Sequence, residues 1–398
     1  MRRANEVAQS FNSKNRSIAK SLNRLWPVLL LGAWLCGCAR KDAPEVAHPE
    51  KADYTTQAQM WADSVAAGMS DQELVGQLLM PALYASADSA TLAQLAQYAD
   101  SLHVGGVMLL KGDTASVSAI TAELRRLSPI PPLVAIDAEW GLGMRLRDAP
   151  SYTPFSRLPD SITDVRMYDY GYALGLQARR LGLNVVFGPV LDVASVPGSA
   201  MAYRSLGPDP ERVTRLGLAY ARGLEDASVI SVAKHFPGLG GTRLDSHRAM
   251  PVSTSSRKML DSLDLYPFRQ YVREGLGGVM VGHIAVAALD TVLRSAVVSP
   301  MIVNDLLRKD MDFSGLIFTD AMNMRGLGSV EQPSVQAILA GADILVAPPD
   351  THAAAAELLQ AMKSGSLPRD VVHGAVSRIL FYKYPRQEGS MARGNCGK

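Results

Sequence analysis

Four ionisable side chains follow one apolar stretch of this 398-residue chain and could form one corner of a catalytic site. Lys234 and His235 end the apolar run 229–233. A glycine-rich loop then leads to Asp245 and His247. Glycine allows backbone conformations that other residues resist, so this loop could fold over a ligand. An ammonium, a carboxylate and two imidazoles in this arrangement could bind a polar ligand and move a proton.

Asp245 and a further carboxylate, Asp320, could have defined parts in this chemistry. The spacing of Asp245 and His247 lets the carboxylate hydrogen-bond the imidazole and hold one tautomer. Asp320 follows four residues that we expect to be buried, and it could act as a nucleophile, a general base or a metal ligand. A helix N-cap before Met322–Gly326 is its alternative role. No cluster of three acids or histidines at ligand spacing accompanies Asp320, so we predict no metal, although a barrel could assemble such a site from distant strands.

Short apolar strands alternate with amphipathic helices along most of the chain. The predicted strands are Val75–Met80, Gly105–Leu110, Leu133–Asp137, Val185–Pro189, Ile230–Lys234, Gly278–His283, Leu316–Asp320 and Ile344–Ala347. The predicted helices between them include Thr91–His103, Ala115–Leu127, Val165–Leu181, Pro210–Asp226, Lys258–Glu274, Pro300–Lys309 and Ser334–Ala340. This alternation predicts an α/β fold, a (β/α)8 TIM-type barrel with a single catalytic domain at 58–385. An open doubly wound sheet is the alternative that periodicity alone leaves open.

Polar residues gather where the predicted strands end. Asp137 and Glu139 close the third strand, Asp192 follows the fourth, and His283 closes the sixth. The active sites of such barrels lie at the C-terminal ends of the strands, so we expect these side chains to face one mouth.

Two further side chains have open roles. Arg204 precedes a predicted helix start and could bind a hydroxyl-rich ligand or brace its loop. Trp140 lies beside Glu139 and could stack on a sugar face or fill the barrel rim.

The N-terminus is typical of a targeting segment. Basic residues precede the apolar run Leu25–Leu35, which is too short to span a bilayer. The run ends in Leu-Cys-Gly-Cys and resembles the lipobox of bacterial lipoproteins, in which the cysteine, here Cys38, is diacylated. We therefore predict a lipoprotein signal peptide at 1–37 and a polar tether at 38–57. An ordinary cleaved signal and a membrane anchor are the alternatives.

Charge and cysteine content exclude two classes of protein. Residues 1–37 hold six basic residues and one acidic residue, which leaves 34 basic and 37 acidic groups in the remainder. This balance does not suggest a nucleic-acid partner. The chain has three cysteines, and only Cys396, in the predicted tail 386–398, lies beyond the N-terminal segment. A disulfide framework is therefore excluded for the body of the protein.

A series of motifs from about Ser70 to Tyr384 resembles glycoside hydrolase family 3 and, within it, the single-domain β-N-acetylglucosaminidases. In order they read PLVAIDAEWG, LGLNVVFGPVLDVA, RSLGPDP, KHFPG, DSH, GVMVGH, SPMIVNDLLR, GLIFTDAMNM and AGADILVAP. The resemblance implies that Asp320 is the nucleophile and that His247, partnered by Asp245, is the acid/base. It also implies that the substrate is bound by Asp137, Arg145, Arg204, Lys234 and His235.

The sequence departs from the family pattern at two places. Many relatives read KHFPGHG, where this chain has Leu239, and many read Asp-Gln-Glu-Gly-Gly, where this chain has Trp140 in the fourth position. Neither departure affects the nucleophile or the acid/base, so they bear on leaving-group preference.

The resemblance implies a retaining exo-β-N-acetylglucosaminidase without a cofactor, acting on glycans that plausibly include peptidoglycan fragments. A β-glucosidase or β-xylosidase of the same family, and a non-catalytic sugar-binding lipoprotein, are the alternatives. We expect a monomer, lipid-anchored in a bacterial cell envelope.

Overall fold

The computed structural model describes residues 49–384. Its α-helices are α1 Pro49–Gly68, α2 Asp71–Gln77, α3 Ser89–Asp100, α4 Thr114–Leu127, α5 Asp164–Arg180, α6 Pro210–Asp226, α7 Arg257–Ser262, α8 Leu265–Arg273, α9 Pro333–Ala340, α10 Thr351–Ser364 and α11 Arg369–Lys383, with a π-helix at Met301–Asp310. Its strands are β1 Leu79–Met80, β2 Ala82–Ala85, β3 Gly106–Gly112, β4 Leu133–Ile136, β5 Val185–Val186, β6 Ile230–Phe236, β7 Val252–Ser253, β8 Gly278–Val281, β9 Ala285–Val286, β10 Leu316–Thr319 and β11 Leu345–Val346.

Parallel strands form the centre of this mixed α/β fold. Seven of them make one curled sheet in the order β10-β8-β6-β5-β4-β3-β2. The short strands β1 and β11 pair with each other in parallel. An isolated bridge between Phe318 and Ile344 links β10 to the residue before β11. The predicted alternation of strand and helix is thus confirmed as a parallel-sheet architecture.

Strand β6, the third strand in the order of the seven-stranded sheet, shows how polar residues come to lie at the carboxyl end of the sheet. Its seven residues are all buried, and they include Lys234 and His235 at the carboxyl end. The apolar residues of the strand interior pack into the core. Lys234 and His235 follow them, so their polar atoms lie at the carboxyl end of the sheet. The peptide bond between Lys234 and His235 is cis.

The first predicted strand, Val75–Met80, is mostly wrong. Ser70 accepts a hydrogen bond from the Glu73 amide while Glu73 accepts one from the Ser70 amide, and this capping box starts α2, which runs to Gln77. In the sequence, the apolar residues on one face of that helix have the same pattern as the start of a buried strand. Strand β2 was not predicted at all, because Pro81 separates its short apolar run from β1.

Most other predicted helices differ from the structure by a few residues at their ends, and two differences are larger. The predicted helix Lys258–Glu274 is two helices, α7 and α8, which are separated at Leu263 and Asp264. Helix α1 begins at Pro49, so it includes the end of the segment 38–57 that was predicted to be a tether. The predicted signal peptide 1–37, Cys38 and the tail 386–398 lie outside the described residues.

Helix α1 packs against the last helix of the described chain. The Gln59 side-chain amide donates to Ser377 Oγ at 3.0 Å, and the rings of Tyr54 and Tyr384 lie 5.4 Å apart. These contacts join the first and last helices of the described residues. None of the helices in 49–384 combines the length and the apolar character needed to cross a bilayer.

Candidate active site

A cavity of 380 Å³ opens at the carboxyl ends of the central strands. Seven of the eight residues predicted to act in catalysis or binding line it: Asp137, Arg145, Arg204, Lys234, His235, His247 and Asp320. The eighth, Asp245, is hydrogen-bonded to one of these seven, His247. The structure therefore brings together residues that are almost 200 positions apart in sequence.

Lys234 is the centre of the cavity floor. Its Nζ lies 2.7 Å from Asp137 Oδ1 and 2.8 Å from Glu139 Oε1, and its side chain is only 2% exposed. Arg145 adds a second cation to Asp137, with its Nη2 at 2.6 Å from Oδ2. Both carboxylates thus share one buried ammonium, which fixes their positions.

Arg204 joins this network through Glu139. Its Nη2 lies 2.5 Å from Glu139 Oε1, and its Nε lies 3.1 Å from Oε2. The same Nη2 is 3.3 Å from His235 Nε2. The arginine therefore braces its loop and lines the cavity at once, so the two roles left open by the sequence are compatible.

The two acids of the floor stay ionised. Burial alone would raise the pKa of Asp137, but the charges of Lys234 and Arg145 outweigh it and hold that pKa well below the usual range. Glu139 behaves in the same way: burial opposes ionisation, and Lys234 and Arg204 lower its pKa to about 2. The cavity therefore presents fixed negative and positive groups, which suits recognition of hydroxyls that both donate and accept hydrogen bonds.

Asp192 positions His235 by a hydrogen bond to the ring nitrogen that does not face Arg204. The Asp192 Oδ2 atom lies 2.7 Å from His235 Nδ1, and its Oδ1 accepts the Leu239 backbone N–H at 2.6 Å. Because a carboxylate only accepts, the His235 Nδ1 carries the proton and its Nε2 faces Arg204. Asp192 thus positions a cavity side chain and anchors the start of the glycine-rich loop.

The loop that carries Asp245 and His247 is far more open. The His247 Nδ1 lies 2.9 Å from Asp245 Oδ1, and the two side chains are 67% and 49% exposed. The backbone N–H of His247 donates to the same oxygen, which is the main reason that the pKa of Asp245 is lowered. The paired aspartate and histidine expected from their spacing are therefore confirmed as a hydrogen-bonded pair.

Asp320 stands at the end of β10 and is 9% exposed. Its Oδ1 accepts the N–H of Ala321 at 2.8 Å. The N-cap alternative is wrong, because no helix begins there and the next helical turn is the 3₁₀ segment Arg325–Leu327. Asp320 is therefore free to present its second oxygen to the cavity.

His283 is hydrogen-bonded to the residue that follows Asp320. Burial lowers the pKa of His283, which favours the neutral ring. Its Nε2 donates to the carbonyl of Ala321 at 3.0 Å, since a carbonyl only accepts, and its Nδ1 faces Ser295 Oγ. This histidine fixes the turn after the proposed nucleophile and does not line the cavity.

Three buried acids matter more than the sequence indicated. The sequence places Glu139 and Asp192 at strand ends but indicates no role for them, because their partners lie far away along the chain. Asp264 is 4% exposed, and its Oδ1 atom has no hydrogen-bond partner among the described residues. Burial, aided by the charge of Asp192, raises the pKa of Asp264 to about 7. No sequence signal points to Asp264, which lies between two helices.

No group of three or more histidine, cysteine, aspartate or glutamate side chains in residues 49–384 is arranged to hold a metal ion. What the cavity does hold is a buried carboxylate, an exposed histidine with a carboxylate partner and a set of charges fixed by ion pairs. Such an arrangement can bind a polyhydroxyl ligand, attack an electrophilic carbon and transfer a proton.

Comparison with known proteins gives a consistent result. The model of the glycosyl hydrolase family 3 N-terminal domain matches residues 71–381. A β-hexosaminidase from Methylococcus capsulatus is 32% identical over 65% of this chain and 80% of its own length. The β-hexosaminidase LpqI from Mycobacterium tuberculosis is 33% identical over 80% of this chain and 84% of its own.

A solved structure extends the comparison to three dimensions. The family 3 β-N-acetylglucosaminidase from a Paenibacillus species superposes with a TM-score of 0.74 at 31% identity. The match covers 79% of this chain and 62% of the Paenibacillus chain, so this chain spans less than two thirds of that relative.

Proposed function

The chain belongs to glycosyl hydrolase family 3 and is a glycoside hydrolase of the β-N-acetylhexosaminidase type, and from that premise we propose that it removes terminal β-linked N-acetylglucosamine by a double displacement at the cavity described above. The observation that carries the proposal is the convergence of Asp320, His247 and the Lys234 network on one cavity.

In the first half of the reaction Asp320 acts as the nucleophile. Its carboxylate attacks the anomeric carbon, and the bond to the leaving oxygen breaks. The protonated imidazole of His247 gives its proton to that oxygen, so the leaving group departs as a neutral alcohol. A glycosyl ester of Asp320 remains.

In the second half His247 becomes the base. The neutral imidazole takes a proton from a water molecule, and the water oxygen attacks the anomeric carbon and releases Asp320. Two inversions at one carbon restore the β configuration. Asp245 holds the proton on His247 Nδ1 and so leaves Nε2 for the substrate and for water.

The floor of the cavity binds the sugar. Asp137 accepts hydrogen bonds from hydroxyls, while Lys234, Arg145 and Arg204 donate them, with His235 at the edge of the same network. Because these groups are already fixed by one another, the sugar meets a preorganised surface and little rearrangement is needed. A non-catalytic sugar-binding protein has no need of the Asp320 and His247 positions.

Proton NMR of the first-formed sugar tests the mechanism. A β-configured product from an aryl N-acetyl-β-glucosaminide is expected, and an α-configured product would rule out the double displacement. Asp320→Asn should lower kcat by about 10⁴-fold or more, as removal of a nucleophile does in other covalent mechanisms. A comparison with the matching aryl β-glucoside separates this activity from that of a β-glucosidase.

We extend the proposal to the whole fold and its setting. The carbonyls of Leu78 and Met80 accept the amides of Leu345 and Ala347, and the Phe318 bridge lies on the other side, which supports a closed (β/α)8 barrel with β1 and β2 as one interrupted strand. The LCGC motif supports a lipid anchor at Cys38 in a bacterial envelope, where peptidoglycan fragments would be a substrate. Fatty-acid labelling that marks wild type but not Cys38→Ala would test the anchor.

A further inference from the structure

Asp264 is a buried acid that takes no part in the reaction described above. It lies between α7 and α8, is 4% exposed, and its Oδ1 atom has no hydrogen-bond partner among the described residues. Buried polar groups in proteins are nearly always hydrogen-bonded, so this exception needs an explanation. The surroundings of Asp264 connect it to the loop that carries His247.

The start of the glycine-rich loop lies directly against Asp264. A Cβ at Gly238 would lie 2.7 Å from the Cβ of Asp264, and a Cβ at Gly241 would lie 3.9 Å from each of its carboxyl oxygens. Gly238 has a φ of 123°, a conformation that favours glycine. The turn 238–241 therefore covers this carboxyl group.

A second carboxylate, that of Asp192, holds the same turn. Its Oδ1 accepts the N–H of Leu239 at 2.6 Å, and its Oδ2 lies 2.7 Å from His235 Nδ1. Both oxygens of Asp192 thus have partners, in contrast to those of Asp264. Among the described residues, Asp192 is the charged group whose field acts on Asp264.

The other neighbours of Asp264 supply no compensating positive charge. The nearest charged residues along α7 and α8, Asp261 and Arg269, bind each other at 2.9 Å. The turn 238–241 contains no ionisable side chain. Burial raises the pKa of Asp264 to about 7, and the negative charge of Asp192 adds to that effect. The buried carboxyl therefore keeps its proton at acidic pH and loses it as the pH rises above neutral.

An ionised Asp264 needs water, and the loop is the neighbour that can yield to admit it. Helix α8 is anchored in the core by Leu265 and Phe268, which are completely buried. The loop is exposed, with 43% of Leu244 and 67% of the His247 side chain open to solvent. Displacement of an exposed segment costs less free energy than the unfolding of a packed helix. Water therefore reaches the ionised carboxylate when the loop moves away.

We propose that Asp264 is a positioning residue for the acid/base: its protonated carboxyl keeps the glycine-rich loop in place, and loss of that proton displaces the loop and His247 with it. The inference rests on the proposed function, because it assigns His247 the transfer of a proton to the leaving oxygen. Asp264 does not line the cavity, so it acts on the reaction only through the loop.

The pH dependence of kcat/KM tests the role with Asp264→Asn, which keeps the shape of the side chain but cannot ionise. On a disaccharide of N-acetylglucosamine the variant should equal wild type at pH 5.5. At pH 8 it should exceed wild type by about 10-fold, because a group with a pKa near 7 is then ionised about ten times more often than protonated. The fully exposed Asp160→Asn should follow wild type throughout.

A second substrate separates this role from a merely structural one. An aryl N-acetyl-β-glucosaminide with an activated leaving group hardly needs the proton of His247. On that substrate Asp264→Asn and wild type should differ by less than about 2-fold at both pH values, because the cavity floor is unchanged. A general loss of wild-type structure at pH 8 would instead affect both substrates equally.

A second variant supplies the missing partner instead of removing the charge. A Cβ at Gly241 meets Ser195 Oγ at 3.8 Å and the carboxyl of Asp264 at 3.9 Å, which are ordinary contacts. Gly241→Ser therefore adds a hydroxyl that can donate to the ionised carboxylate with the loop in place. At pH 8 its kcat/KM on the disaccharide should rise several-fold above wild type. Gly241→Ala adds the Cβ without the hydroxyl and should behave as wild type.

Amide hydrogen exchange of the full-length protein follows the loop without any substrate. After correction for the intrinsic effect of pH on exchange, residues 238–248 of wild type should exchange about 10-fold faster at pH 8 than at pH 6. Exchange in α6 should be the same at both pH values. In Asp264→Asn the loop should lose its pH dependence.

The outcomes separate this role from the proposed function. Equal pH profiles of kcat/KM for wild type and Asp264→Asn on the disaccharide, or loop exchange in wild type that does not change with pH, would overturn the positioning role while the activity itself stood. Wild type that cleaves neither substrate at any pH would overturn the proposed function and with it the part of Asp264 in catalysis, whereas the exchange experiment would still report whether Asp264 controls the loop.

Discussion

The floor of the cavity and the loop that carries His247 differ in how firmly their side chains are held. On the floor, Lys234 and Glu139 are almost completely buried and each has two charged partners. On the loop, Asp245 and His247 have each other and are largely exposed. The groups that we propose bind the sugar are thus held by one another before substrate arrives, whereas the histidine that we propose transfers protons is exposed to solvent.

This difference has a physical reason. Binding a sugar requires fixed donors and acceptors, because any freedom lost on binding weakens affinity. Proton transfer to a leaving group and then from a water molecule requires access to solvent in the second step. Changes on the loop should therefore reduce catalysis alone, and changes on the floor should reduce folding stability as well.

Among changes on the loop, His247→Ala should cause the largest loss of activity. We expect kcat on a disaccharide to fall by about 10²–10⁴-fold, and much less on a substrate with an activated leaving group, because such a group hardly needs the proton. The melting temperature should not change, since the side chain is exposed. His352→Ala, another exposed histidine on α10, is the control. A fall in melting temperature for His247→Ala alone would break the contrast between loop and floor.

Lys234→Met tests the floor. Removal of the Lys234 ammonium leaves Asp137 and Glu139 buried with fewer positive partners. The free energy of unfolding should therefore fall by about 3–5 kcal/mol, and activity should be lost too. Urea denaturation at pH 7 measures this, with the exposed Lys363→Met as the control. Adding Asp137→Asn and Glu139→Gln to Lys234→Met should recover much of the stability but none of the activity. Stability unchanged in the single variant would show that the floor is not a coupled charge network.

Asp264→Asn tests the buried acid that lies next to the start of the glycine-rich loop. A Cβ at Gly238 would lie 2.7 Å from the Cβ of Asp264, so this carboxyl packs directly against the start of the loop. Its pKa is raised to about 7, so the folded state keeps a proton that the unfolded chain loses near pH 4. Wild type should therefore lose stability as pH rises from about 4 to about 7.

The Asp264→Asn variant lacks that titration. It should match wild type near pH 4 and exceed it by about 1–3 kcal/mol near pH 8, the usual cost of an unsatisfied buried polar group. Thermal melts across this pH range give the answer, with the exposed Asp160→Asn as the reference. Identical pH profiles for wild type and Asp264→Asn would show that the carboxyl finds a partner in solution.

Asp245→Asn should have the smallest effect. The amide keeps the side-chain size but accepts a weaker hydrogen bond from His247 Nδ1, so kcat should fall by about 5-fold on disaccharides without loss of stability. The exposed position limits the effect because water can take the place of the carboxylate. A loss as large as that of His247→Ala would show that the loop closes and becomes buried during catalysis.

The sequence predicted the site better than it predicted the elements around it. Lys234, His235 and Asp320 were located because polar residues after buried strands must meet at one end of a parallel sheet. The role of Asp192 was not predicted, because it acts through the backbone amide of Leu239 and through a histidine from another strand. The first predicted strand was mostly wrong, because the apolar face of α2 and a short strand next to a proline have the same apolar pattern in a single sequence.

The contact between α1 and α11 has a consequence for how the protein is made. Gln59 and Ser377, 318 positions apart, are hydrogen-bonded, and Lys383 reaches Gln77 across 306 positions. Contacts between such distant residues form late, because the loop between them must close first. The growing chain therefore cannot bury the face of α1 that packs against α11 until α11 itself has been synthesised.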